Sequence, residues 1–128
     1  FTERIHWIGH VEDVRPWYRA AAVMVLPSNR EPFGRVVVEA MASGLPVIAT
    51  RSGGVPEIVT HMRNGILVPE NDPDAVARAL MDLIRNKALW NLISREAEQA
   101  ANFFGIESHV EKMVRIFRRV SDDQGRDY

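Results

Sequence analysis

Two glutamates, Glu31 and Glu39, stand with seven residues between them in the segment Glu31-Pro32-Phe33-Gly34-Arg35-Val36-Val37-Val38-Glu39. The pattern predicts the first in a loop after a strand and the second about one turn inside a helix that opens at Gly34. At a helix start the first backbone N–H groups lack intrahelical acceptors, and the dipole favours an anion. A glycine there lets a phosphate approach the backbone closely. A phosphate would rest on the N–H groups of Gly34, Arg35 and Val36. The Glu39 carboxylate can accept two hydrogen bonds from a vicinal diol such as a ribose offers. Glu31 would then reach a second hydroxylated group on the other side of the phosphates. The ligand implied is a phosphorylated, polyhydroxylated molecule. A plainer reading also stands, in which Glu31 caps the helix electrostatically and Glu39 is a solvated helix residue.

The elements that must position these residues follow from the apolar pattern. Arg4 to Ile8 reads as a short strand ended by Gly9. Asp13 is expected to cap a helix running to about Ala22, with Val14, Trp17, Tyr18 and Ala21 on one face and Pro16 in its first turn. Val23-Met24-Val25-Leu26 is an apolar run closed by Pro27-Ser28, the form of a strand buried on both faces. The valines after Gly34 favour strand. Helix is still expected, because Ala40-Met41-Ala42 follow and Ser43-Gly44 supplies a stop. Pro46 to Thr50 and Ile66 to Val68 read as further strands, with one or two helical turns over Pro56 to Thr60 between them. Asp72 and Pro73 open a helix with the stripe Val76, Ala79, Leu80, Leu83 and Ile84. Another is expected from Lys87 to Phe103, with Leu89, Leu92, Ile93, Ala97 and Ala100 inward and Gly105 breaking it. Ser108 would cap the last helix, whose stripe is Val110, Met113, Val114 and Phe117. Ser121 to Tyr128 reads as a polar tail, leaving residues 1–120 as one domain. The fold class is α/β: a parallel sheet of about four strands flanked by helices, with a helical C-terminal extension. Ligands bind such sheets at the carboxyl ends of the strands, here Gly9 to Val11, Pro27 to Gly34 and Arg51 to Gly54.

Composition narrows the function classes. The 128 residues carry 16 basic and 17 acidic side chains, a net charge of -1, so no bulk field draws the chain to nucleic acid. The absence of cysteine excludes disulfides, thiolate metal sites and a cysteine nucleophile. His6, His10, His61 and His109 show no metal-site spacing, and no metal is expected. No apolar run approaches the ~20 residues that span a bilayer. Phe1-Thr2-Glu3-Arg4 has no signal-peptide pattern and reads as a chain cut just before a strand. A cytoplasmic location is expected.

The sequence resembles a known family through several segments in fixed order. They are Pro27-Ser28, Glu31-Pro32-Phe33-Gly34, the run Glu39-Ala40-Met41-Ala42-Ser43-Gly44-Leu45-Pro46-Val47-Ile48-Ala49-Thr50, then Gly53-Gly54-Val55-Pro56-Glu57 and Asn64-Gly65-Ile66-Leu67-Val68. Together they are similar to the C-terminal domain of family 4 (group 1) retaining glycosyltransferases, over nearly the whole chain. The resemblance implies a GT-B architecture, in which two Rossmann-like domains face across a cleft and the C-terminal one binds the nucleotide-sugar donor. It implies that Glu39 holds the donor ribose and that Glu31 contacts the transferred sugar as the catalytic carboxylate. Phe33 and Gly34 would line the sugar pocket, and the Gly34 to Val36 backbone would meet the diphosphate. Gly9-His10-Val11 matches the loop beside the nucleobase, making Val11 the candidate base contact. No cofactor beyond the nucleotide-diphospho-sugar donor and no bound metal are implied.

Parts of that family's pattern do not occur here. Two strands, an Arg- and Lys-bearing loop and the N-terminal acceptor domain would precede Ile5. Arg30 and Arg35 do not occupy the basic positions. The chain is therefore expected to carry a donor half-site that is inactive alone. It would need an acceptor domain or partner subunit, or would associate with itself through exposed strand edges. An alternative is a nucleotide-sugar-binding or assembly subunit with a separate partner. A dinucleotide oxidoreductase is disfavoured, because no G-x-G-x-x-G follows a strand. Trp7, Trp17 and Trp90 are expected to pack. Ser28 has no base partner for a nucleophile's role. Gly53-Gly54 is either a simple turn or part of the pocket wall. Glu57 either caps the short helix behind it or faces the cleft, and the structural role is favoured. Lys87, Arg95, Arg115, Arg118, Arg119 and Arg126 read as a solvated face, which in related enzymes can meet a membrane.

Overall fold

The computed structural model describes residues 2–124. After a 3-10 turn at Thr2–Arg4 come α1 (Arg15–Ala20), β1 (Met24–Leu26), α2 (Arg35–Ala42), β2 (Val47–Thr50), α3 (Val55–Ile58) and β3 (Ile66–Val68). Next are α4 (Pro73–Arg85), α5 (Lys87–Ala101), a second 3-10 turn at Asn102–Phe104 and α6 (Ile106–Gln124). The strands form one parallel sheet in the order β1-β2-β3, with Val25 beside Ile48 and Ile48 beside Ile66.

The core explains the order. β2 is central and buried along its whole length, and successive side chains of a strand face opposite sides of a sheet. Ile48 packs with Ile66, Val68, Ala79, Leu83 and Ile93, the layer formed with α4. Val47 and Ala49 face the other way, onto Val37, Ala40, Met41 and Val55 of α2 and α3. α5 reaches both layers, through Ile93 on one side and Ala97 on the other. Burial of Val37, Ala40 and Met41 holds α2 helical despite its three valines. Its end is built as expected. Gly44 takes φ 68°, and its N–H and that of Leu45 donate back to Met41 and Ala40. Asp72 caps α4, accepting the Ala75 N–H at 2.8 Å.

Several expectations fail for identifiable reasons. Arg4 to Ile8 forms no strand. Ile5 and Ile8 are exposed and Trp7 is 93% exposed. A strand exists only through a neighbour that takes its hydrogen bonds, and among the described residues this segment pairs with none. Among the described residues the sheet accordingly has three strands instead of about four, and Trp7, expected to pack, stands in the open. β1 is half-buried, whereas β3, at the other edge of the sheet, is buried along its length. Val14, not Asp13, is the residue at the start of α1, which ends at Ala20 and buries no residue. Asp13 still accepts the Arg15 N–H. Asn86, unremarked in the sequence, caps α5 through the Leu89 N–H at 3.0 Å. Ile84 and Leu92 lie outside the buried stripes. α6 begins at Ile106, which puts Ser108 inside it, and continues past Ser121 to Gln124. The remainder of the expected tail, 125–128, lies outside the described residues.

Candidate functional site

Two loops leave the carboxyl ends of neighbouring strands, residues 27–34 after β1 and 51–54 after β2. The β1–β2 ladder ends with Leu26 beside Ala49, and Pro27 has no N–H to continue it. Hydroxyl groups carry the pairing onward. The Thr50 hydroxyl donates to the Ser28 carbonyl. The Ser52 hydroxyl accepts the Arg30 N–H at 2.6 Å, and the Gly54 N–H donates to the Glu31 carbonyl at 2.9 Å. Thr50 and Ser52 are both buried. Arg30 is held at φ 57°, a left-handed conformation uncommon outside glycine.

The same contact settles what Gly53-Gly54 does. A Cβ on Gly53 would stand 1.9 Å from the Glu31 carbonyl oxygen, and one on Gly54 would stand 2.6 Å from that of Pro32. The pair is glycine because the backbone of residues 31–33 lies directly against it. Glu57, on α3, is exposed.

From this support the loop turns into α2 through Gly34, which sits at φ 90° as the residue that starts the helix. Glu31 is half-buried, and its Oε1 accepts the Gly34 N–H at 3.2 Å. The Gly34 N–H expected to meet a phosphate is thus given to Glu31, in line with the capping reading. The Arg35 and Val36 N–H groups have no acceptor among the described residues, as the first turn of a helix dictates.

Glu39 lies one turn further along, half-buried. Its Oε2 accepts the Tyr18 hydroxyl at 3.2 Å, and its Oε1 is 3.7 Å from the guanidinium of exposed Arg35. Burial, followed by the Glu39 charge and hydrogen bond, raises the Tyr18 phenol above its ordinary value. Glu39 borders two clefts. One, of about 630 Å³, is lined by Phe33, Arg35, Val38, Phe104 and Lys112. There the Phe33 ring meets Phe104 edge-on with centroids 6.2 Å apart. The other, of about 750 Å³, lies between α1 and α2 and includes Glu12, Asp13, Arg15 and Tyr18. At its rim Arg15 forks onto both oxygens of Asp13, at 2.9 and 3.0 Å, which holds the Asp13 carboxyl below its ordinary range.

The structure therefore brings Phe33, Arg35 and Glu39 to one cleft, whereas Glu31 and Gly34, joined to each other by a hydrogen bond, line neither. Val36, 38% exposed, and half-buried Val11 line neither cleft. Glu12 and Asp13, which follow Val11, do line the second. Sequence reasoning placed Tyr18 on a helix face but missed its bond to Glu39, and it missed Thr50 and Ser52 as loop anchors. Trp90 and His61 serve structure, while Trp17, expected to pack, is 49% exposed. The Trp90 indole N–H donates to the Ala22 carbonyl at 2.8 Å, and the Lys87 ammonium lies 3.9 Å from the centre of its ring. The Leu67 N–H donates to His61 Nδ1. Among the described residues no three His, Asp or Glu side chains are grouped so as to hold a metal ion, and no helix is long and apolar enough to cross a membrane.

Comparison with known proteins bears on this site. A family profile described as "Glycosyl transferases group 1" matches residues 1–86. A D-inositol 3-phosphate glycosyltransferase from Streptomyces avermitilis is 45% identical over 94 residues, covering 73% of this chain and 20% of that protein. Among solved structures, a sucrose-phosphate synthase from Thermosynechococcus elongatus superposes with a TM-score of 0.85 at 32% identity, covering 94% of this chain and 31% of its own. Anabaena HepE in complex with UDP gives 0.87 at 28% identity, covering 92% and 33%. The chain thus spans a fifth to a third of the length of these relatives.

Proposed function

The chain belongs to the glycosyl transferases group 1 family, and from that premise we propose that it forms the nucleotide-sugar donor half-site of a retaining glycosyltransferase. The observation that carries the reading is the first turns of α2. The Arg35 and Val36 N–H groups open at the helix start, and the Glu39 carboxylate follows one turn later on the cleft. The rise from Arg35 to Glu39 is about 6 Å, comparable with the reach from an α-phosphate across a ribose to its diol. The diphosphate rests on the two N–H groups, where the helix dipole also favours it. The diol donates to Glu39, displacing the Tyr18 hydroxyl or sharing the carboxylate with it. Glu31 and Phe33 flank the transferred sugar, and Val11 remains the proposed base contact. HepE, which was solved with UDP and with UDP-glucose, supports this ligand class.

Transfer needs more than this. Positive groups must stand against the negative charge that develops on the departing diphosphate. Arg35 is turned to Glu39, and Arg30 contributes its backbone to the loop. The charge and the acceptor site are proposed to come from residues beyond this chain, and the isolated chain to bind without catalysing. The unpaired edge of β1 offers a place for a partner's strand.

Calorimetric titration with UDP, GDP and ADP tests the proposal. One diphosphate should bind saturably. Glu39→Ala removes the carboxylate that accepts the diol, worth about 2–3 kcal/mol, so Kd should rise roughly 30- to 150-fold. No binding to any of the three, or binding indifferent to Glu39, would overturn the assignment.

A further inference from the structure

The Glu31 loop is not self-supporting. Among the described residues, the hydrogen bonds that tie the backbone of Ser28, Arg30 and Glu31 to the body of the protein come from one short stretch, Thr50 to Gly54. That stretch is anchored in turn. The Arg51 N–H donates to the Val68 carbonyl of β3, and the Ser52 carbonyl accepts the Val55 N–H at the start of α3. Ser52 is the central link: it is 6% exposed, and its hydroxyl meets the backbone of Arg30 in the left-handed turn just before Glu31. Left-handed backbone outside glycine is disfavoured and persists only where the surroundings over-determine it.

Resting on the donor-site reading above, we propose that Ser52 is a positioning residue for the sugar half of that site. Its hydroxyl holds the Arg30 turn, which sets the direction in which Glu31 leaves the loop. The α2 groups that would hold the nucleotide, the Arg35 and Val36 N–H and the Glu39 carboxylate, join the loop through Gly34, whose N–H Glu31 accepts, but take their place from elsewhere. They belong to a helix whose buried face is packed on the sheet. Ser52 therefore governs affinity for the sugar and leaves affinity for the nucleoside diphosphate nearly untouched.

Two measurements on the full chain test this. In the free protein, amide hydrogen exchange at Arg30 should be faster in Ser52→Ala by about tenfold, the loss of one hydrogen bond, with amides of β2 unchanged. Ser52→Thr, which keeps the hydroxyl, should restore the protection. By calorimetry, Ser52→Ala should weaken UDP-glucose about tenfold and UDP less than twofold. Unchanged Arg30 protection in Ser52→Ala, or an equal loss for both ligands, would overturn the proposal. An unaltered chain that binds neither UDP nor UDP-glucose would overturn the donor-site reading itself, a result distinct from both.

Discussion

Replacing Gly53 by alanine should damage the protein far more than the same change at Gly44, although both glycines have left-handed backbone, at φ 54° and 68°. An L residue pays about 1–2 kcal/mol for that conformation at either place. The difference lies in the surroundings. At Gly44 the added carbon would meet the Ser94 hydroxyl and the Glu98 carboxylate at an ordinary 3.6 and 4.0 Å. At Gly53 it would meet the Glu31 carbonyl oxygen at 1.9 Å, where real side-chain carbons essentially never come within 3.0 Å. The obstacle is backbone, which cannot rotate aside as a side chain can. The Glu31 loop must withdraw by more than an ångström. That opens the Gly54-to-Glu31 hydrogen bond and strains the Arg30-to-Ser52 bond, each worth about 0.5–1.5 kcal/mol. Gly53→Ala should therefore cost about 2–5 kcal/mol against about 1–2 for Gly44→Ala. Urea unfolding with linear extrapolation resolves that gap. Equal losses at the two positions would refute the claim that the loop lies against Gly53.

Two further outcomes are expected. Tyr18 titrates above its ordinary value because the fold favours its neutral form. Its contribution to stability is complete below pH ~10 and is lost as pH rises through the folded value. Stability should fall more steeply above pH ~10 in the unaltered chain than in Tyr18→Phe, and identical alkaline profiles would contradict the Tyr18–Glu39 contact. Asn86→Ala should cost about 1 kcal/mol through loss of the α5 cap, read as a lowered urea midpoint, whereas Asn86→Asp should cost much less.

Patterns that depend on local chain chemistry were readable in the sequence. The buried run of β2, the Asp72 and Pro73 start of α4 and the Ser43-Gly44 end of α2 each carry their cause within a few residues. The Glu31–Glu39 spacing is of this kind, since one loop-to-helix transition places both. What depended on a distant partner was not readable. Ile5, Trp7 and Ile8 have the composition of a strand, but pairing is decided by a neighbour. Tyr18 meets Glu39 across 21 residues. Thr50 and Ser52 look like any hydroxyl residues after a strand until the loop they hold is seen 22 residues away.

The way that loop is held separates its shape from its chemistry. Its grip is on main-chain atoms of Ser28, Arg30 and Glu31, while the side chains of Arg30, Pro32 and Phe33 stand exposed. Pro32 can change identity without disturbing that scaffold, whereas Phe33 also meets the Phe104 ring and residue 30 must keep a left-handed backbone and its N–H. On the proposed function, a lineage or a combinatorial library can explore new sugar preferences on this exposed face at little risk to folding, provided Thr50, Ser52, Gly53 and Gly54 are left alone. Evolvability at this site resides in the outer loop because constraint has been concentrated in the inner one.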